Sequence, residues 1–226
     1  MLNRRIVPVF FLILFLPLWV FCEQVLQLEA KEYPLEELLK AKPEVIRGHS
    51  PEDTKIIISV EKVYEVLESP LLQFENVSFL LKGSARSIQK NVLSFNAVQK
   101  VLYMNCVFDA SDVKDQVNER ASFMSFENCG DLSFTDVSFR NFRFACFTSR
   151  FDNHALTLLK GDRLSQVKFE RVKMTDVQAI NVINFENTEH FYFLDSVLTR
   201  TVGKMRFYQS NLEVSGSIFQ SGRRKF

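Results

Sequence analysis

The sequence predicts an all-β fold, a right-handed parallel β-helix (solenoid) with a short α-containing cap at its N-terminal end. Three observations lead there. An eight-residue pattern, apolar at positions one, three and eight and polar or small at five, recurs along the chain. A Phe stands six residues ahead of three of the six copies and five ahead of a fourth. The composition holds 23 Phe against 7 Gly and a single Trp, so large flat apolar side chains must be stored somewhere.

The chain opens MLNRRIVPVFFLILFLPLWVFCEQ. Arg4 and Arg5 precede an apolar run from Ile6 to Phe21, interrupted by Pro8 and Pro17, and Val20 and Cys22 stand at the minus-three and minus-one positions of a cleavage site. Residues 1–22 are therefore expected to be an export signal. A retained membrane anchor and a lipid-modified Cys22 are the other readings. The run falls short of the ~20 apolar residues that span a bilayer, and LWVF lacks the small residues of a lipoprotein site.

Residues 23–69 are expected to form the cap. In YPLEELLKAKP, Pro34 suits a first helical turn, Leu35, Leu38 and Leu39 share one face, and Pro43 ends the helix. Ser50 and Asp53 then have capping-box spacing, with Ile56, Val60, Val63 and Leu67 on one helical face. The β-branched run Ile56 to Ile58 equally supports a strand from Lys55 to Val60.

Residues 70–219 are expected to be the repeats. The pattern appears as LQFENVSF from Leu72, VLYMNCVF from Val101, LSFTDVSF from Leu132, VKFERVKM from Val167, FYFLDSVL from Phe191 and LEVSGSIF from Leu212. Irregular periods of 21 to 35 residues mark one supersecondary unit with a loop of variable length. Phe95, Phe126 and Phe185 stand six residues before a copy and Phe207 five before the last. Two short strands in fixed phase, a tight polar corner and a free loop describe one coil. Stacked at about 4.8 Å, such coils place Tyr103, Phe134, Phe169, Phe193 and Val214 in one inward column and Phe108, Phe139, Met174 and Leu198 in another. The polar slot, Asn76, Asn105, Asp136, Arg171, Asp195 and Gly216, is expected to supply corner residues rather than ligands. A β-sandwich or jelly roll is the alternative architecture. It predicts Asn-Gly or Asp-Gly hairpin turns, and the chain contains neither dipeptide. Residues 220–226 form a basic tail, SGRRKF in its last six.

FENCGDLSFTDVSF, FENVSF and NFENTEHFYFLDS resemble the Phe-rich coils of the passenger domains of chlamydial polymorphic membrane proteins. That family of autotransported surface proteins has right-handed β-helix passengers used in adhesion to host cells. The resemblance covers Leu72 to Phe219 and implies a β-helix for surface display. Phe-any-Asn, at Phe74, Phe126 and Phe185, stands where the family has Phe-any-any-Asn; its Gly-Gly-Ala motif is absent, and the chain has no room for its C-terminal barrel. No adhesive residue transfers, because the matching positions are core columns.

The chemistry is sparse. Lys plus Arg (28) balance Asp plus Glu (27), so no field selects nucleic acid. His49, His154 and His190 are scattered, no Cys-any-any-Cys pair occurs, and no Walker loop, dinucleotide fingerprint or Gly-any-Ser-any-Gly elbow is present. No catalytic, cofactor-binding or metal residue is assigned and no cofactor is expected. Cys106, Cys129 and Cys146 remain after signal removal, permitting one disulfide at most or three buried thiols. Asn76 heads an NVS sequon and is read first as a corner Asn. The expected function is non-catalytic display, adhesion or binding of a protein or glycan in a bacterial envelope, at the periplasm, outer membrane or cell surface or secreted. The alternative is a carbohydrate-active β-helix enzyme. Its only available constellation is Asp136 and Asp195 with Arg171 between them. Display would set the loops at Asp109 to Ala121 and Arg150 to Ser165 on one side.

Overall fold

The computed structural model describes residues 24–84, 91–114, 122–143 and 157–221. The expected export signal, Cys146, His154 and the basic run 223–225 lie outside them. Every strand pairing among the described residues is parallel, and the strands stack as coils with three faces. This is a parallel β-helix. The sandwich alternative, built on antiparallel hairpins, does not occur.

In the first coil, β1 (Val25–Gln27) lies on face one and β2 (Glu32–Pro34) on face two, and helix α1 (Leu35–Lys40) follows. The second has β3 (Val45–Arg47), β4 (Lys55–Ser59) and β5 (Tyr64–Leu67), one on each face in order. The third repeats this with β6 (Leu72–Glu75), β7 (Ser78–Ser84) and β8 (Leu93–Asn96). The fourth has β9 (Lys100–Met104), β10 (Val107–Lys114) and β11 (Ser122–Glu127). The fifth begins with β12 (Asp131–Thr135) and β13 (Ser138–Arg140). From there strands run through corners: β14 (Thr157–Glu170) serves faces three and one, as does β16 (Gln178–Leu194), with β15 (Lys173–Thr175) on face two between them. Next, β17 (Val197–Tyr208) serves faces two and three, and β18 (Asn211–Ser215) and β19 (Ile218–Ser221) close the described stack.

The registers reproduce the expected columns. Leu26, Ile46, Phe74, Tyr103, Phe134, Phe169, Phe193 and Val214 are successive partners on face one. Phe79, Phe108, Phe139, Met174, Leu198 and Phe219 are successive partners on face two. Parallel stacking puts like on like, and the rings respond: Tyr103 and Phe134 lie 5.0 Å apart at 4°, Phe79 and Phe108 4.4 Å at 5°. Burying each Phe contributes roughly 1.5–3 kcal/mol, with ring pairing on top. Val214, expected inside, is half-exposed, because no described rung covers it.

Face three carries Val66, Phe95, Phe126, Gly161, Phe185 and Phe207 in one column. Val66 and Gly161 also stand six residues ahead of a face-one strand, so the phase continues where the Phe does not.

Two of the three corners are tight. Between faces one and two, Asn76, Asn105, Asp136, Arg171, Asp195 and Gly216 all have φ between 49° and 60°. Between faces three and one, Glu68, Ala97, Asn128, Arg163, Asn187 and Gln209 have φ between 50° and 58°. A left-handed residue turns the chain, and Asn and Asp tolerate that conformation best among residues with a side chain. The next residue is drawn inward: Val77, Cys106, Val137, Val172 and Ser196 at one corner, Val98, Cys129, Leu164 and Thr188 at the other, all buried. Cys106 and Cys129 are free thiols in this slot, each donating to the carbonyl two residues back.

Residues 23–69 differ from expectation in organisation. The helix forms, burying Leu35 and Leu38. Yet β1 to β5 already belong to the stack, so the coils begin at Val25 rather than at residue 70. Ser50 and Asp53 do exchange capping hydrogen bonds, on a turn that leads into β4. β-Branching and pairing with β7 settle Ile56 to Ile58 as strand.

Candidate functional site

The expected constellation comes together in part. Arg171 lies at the tight corner and grips Asp136 of the preceding rung with both ends of its guanidinium, Nε to Oδ1 at 2.7 Å and Nη2 to Oδ2 at 2.8 Å. Glu170 accepts from the same Arg171, and Lys168 sits 2.5 Å from Glu170. Lys168 and Glu170 were not singled out by sequence, although their alternation with buried Val167 and Phe169 marks them as outward-facing. Asp195 occupies the next rung and stays apart from this row; its Oδ1 fills the space a side chain at Gly216 would take.

The electrostatics of the row are those of paired ions. The Arg171 guanidinium lowers the Asp136 carboxyl from its ordinary value. Lys168, then Arg171, lower that of Glu170. A glycoside-cleaving pair needs one carboxyl raised enough to deliver a proton near neutral pH, and both shifts here run the other way. Asp136, Arg171 and Glu170 thus form a cross-rung ladder. The same device recurs where Asn105 donates to Asn76 at 2.8 Å and Asn187 to Asp162 at 2.7 Å.

The remaining polar candidates are separate. His49 lies 3.6 Å from Asp53, and His190 stacks on Tyr192 with centroids 6.1 Å apart. Among the described residues no group of three His, Cys, Asp or Glu converges on one point, and no helix is long and apolar enough to cross a membrane.

Two recesses among the described residues carry charged side chains on their rims. One of about 340 Å³ lies beside α1, floored by Leu39, Val66 and Leu72 and rimmed by Lys42, Glu44, Glu65 and Glu68. The other, about 260 Å³, lies on face two among Glu52, Lys55, Ser78, Leu80 and Arg140.

The third corner, between faces two and three, behaves unlike the others. Strand β7 leads to β8 through residues 85–92, β10 to β11 through 115–121, and β13 to β14 through 141–156. In later coils the same corner is short: Asp176 and Val177 alone separate β15 from β16, and β17 passes it as a continuous strand. From the third coil to the fifth, the long connections therefore leave from one seam, while in the second coil residues 48–54 join faces one and two. Of the loops expected by sequence, Asp109 to Lys114 and Thr157 to Ser165 are strand; the remainder of each lies outside the described residues.

Set against known proteins, the chain matches no family model, no curated protein and no solved structure.

Proposed function

We propose that this protein is an exported, non-catalytic β-solenoid that binds a protein or glycan partner through the connections at its third corner, in the manner of the surface-displayed adhesin passengers its coils resemble. The observation that carries the reading is topological. The strand ends that bracket 85–92, 115–121 and 141–156 lie at the same corner of successive coils, so the stack offers these three connections aligned points of departure. Loops positioned by a rigid scaffold are where binding residues concentrate. Asp136 and Glu170, by contrast, are both engaged by Arg171. The apolar run after Arg4 and Arg5 supports delivery to the envelope or beyond.

The test replaces residues 116–120 and 146–155 by short Gly-Ser segments and measures binding of the purified chain to glycan arrays and host-cell surfaces. Loss of binding with unchanged β-type circular dichroism is the expected result. Retained binding would move the site elsewhere, and turnover of a polysaccharide panel, abolished by Asp136→Asn, would replace binding by catalysis.

A further inference from the structure

Among the described residues, the β19 end of the stack leaves inward apolar side chains exposed. One rung in, Ile183, Phe185, Phe191, Phe193 and Leu198 are at most 2% exposed. Their register partners on the last rung are Met205, Phe207, Leu212, Val214 and Phe219. Of these Met205 is 39% exposed, Leu212 and Val214 47% each, and Phe219 43%. The side chains have the same inward direction and the same apolar character; the difference is that no described rung pairs with the last one. A recess of about 220 Å³ opens into this end between Val182, Leu198, Gly203, Met205 and Phe219. Among the described residues, the outer edges of β18, β19 and the second half of β17 take no ladder partner.

The opposite end is built differently. There α1 stands where a face-three strand would precede β5, and it packs Leu35 and Leu38 inward until they are 2% and 5% exposed. A second chain cannot continue the stack head to tail on all three faces, because α1 offers no ladder edge.

We propose that two copies of this chain meet through their β19 ends about a two-fold axis, the last rung of each covering the last rung of the other. Such an interface is isologous and closes at two copies, whereas head-to-tail stacking would run on as a fibre. Both partners contribute the same five inward side chains, and edges facing across a two-fold pair antiparallel, which satisfies their free N–H and C=O groups. With Met205, Leu212, Val214 and Phe219 39–47% exposed and a whole large side chain covering ~150–250 Å², these four offer roughly 350 Å² per copy. Phe207, the outward Tyr208 and Ile218 and the backbone edges of both copies add to this, toward the ~1,000 Å² that marks a specific interface. Uncovered solenoid ends and strand edges are otherwise aggregation sites.

The test is sedimentation velocity on the purified chain from micromolar to hundreds of micromolar, with Val214→Lys and Met205→Glu as variants. A dimer is expected, and each variant should weaken it at least tenfold while leaving the circular dichroism spectrum unchanged. Ser217→Cys should cross-link to a covalent dimer under mild oxidant, and Glu29→Cys, at the other end, should not. A monomer throughout, a dimer indifferent to both charge variants, or a ladder of growing oligomers would each overturn the proposal. Should the charge variants unfold, the two cross-linking variants alone decide it.

Discussion

The ring of Phe185 occupies the space that a side chain at Gly161 would need. A Cβ built at Gly161 would lie 2.3 Å from both Cδ1 and Cε1 of that ring. The face-three column is thus filled by displacement, one Phe leaning over a rung that has none. Gly161→Ala is expected to destabilise by about 1–3 kcal/mol through overpacking. Combined with Phe185→Leu, its cost should shrink, a coupling that a double-mutant cycle in urea would register. Additive costs would mean the two positions do not share the space.

Phe134 is fully buried, with Tyr103 and Phe169 each 5.0 Å away along its column. Phe134→Ala is expected to cost roughly 3–5 kcal/mol by cavity formation. Denaturant melts of the two proteins measure it, and a loss below about 1 kcal/mol would contradict the register.

The Tyr103 hydroxyl is buried with no hydrogen-bond partner, and burial raises the phenol well above its ordinary range. Tyr103→Phe keeps the ring stack and removes the stranded group, so it should be neutral to stabilising by ~1–3 kcal/mol. Thermal melts would reveal it; a fall in stability would mean the hydroxyl has found a partner.

Corner residues should be graded by backbone conformation alone. Asn128, at φ 51°, is exposed. Asn128→Val is expected to cost about 1–2 kcal/mol, since a β-branched residue strains in the left-handed region, and Asn128→Gly should cost less. Equal losses would shift the weight to the bond from Asn128 to Asn96, 3.3 Å long.

Asp109 sets a pH dependence. Burial raises its carboxyl, but hydrogen bonds from Asn141, the Ser111 amide and Arg140 outweigh this and leave it lowered. A carboxyl lowered by folding contributes stability above its unfolded pKa of ~3.9, and that contribution disappears as pH falls through the folded value. Glu75, lowered first by Arg47, acts in the same sense. Melting temperature should hold from neutral pH to about 5 and fall below about 4. Asp109→Asn should flatten the fall; a parallel curve would assign the acid lability elsewhere. The thiols are silent over this range, because burial pushes Cys106 up to about 12 and raises Cys129 as well. Alkylation of the native protein, read by peptide mass, should spare both until unfolding.

Much of this fold is legible in the residues themselves. The eight-residue pattern carries the phase because a stacked column repeats its side chain at every rung, which makes Phe74, Tyr103, Phe134 and Phe169 visible as a series. The first two coils are hidden for the converse reason. Ile46 and Ile56 hold the same columns with smaller side chains in short strands, and Ile56, Val60 and Val63 coincide with a helical spacing that only pairing with β7 overrules. Gly161 is hidden because nothing in sequence says a neighbour's ring will fill its place. At the candidate site, the slot from Asn76 to Gly216 is readable as a corner series, but the grip of Arg171 on Asp136 requires knowing that 35 residues of chain return it one rung above.

The contrast between corners has a consequence for how such a chain changes. From the third coil on, a single left-handed residue and its inward successor fix the count at two corners, so adding or removing one residue there would turn a whole strand inside out. At the third corner length is free, and residues can be gained or lost there without altering any column. Variation in length is thereby channelled into one strip along the stack, the same strip proposed for recognition, while the hydrophobic interior is insulated from it.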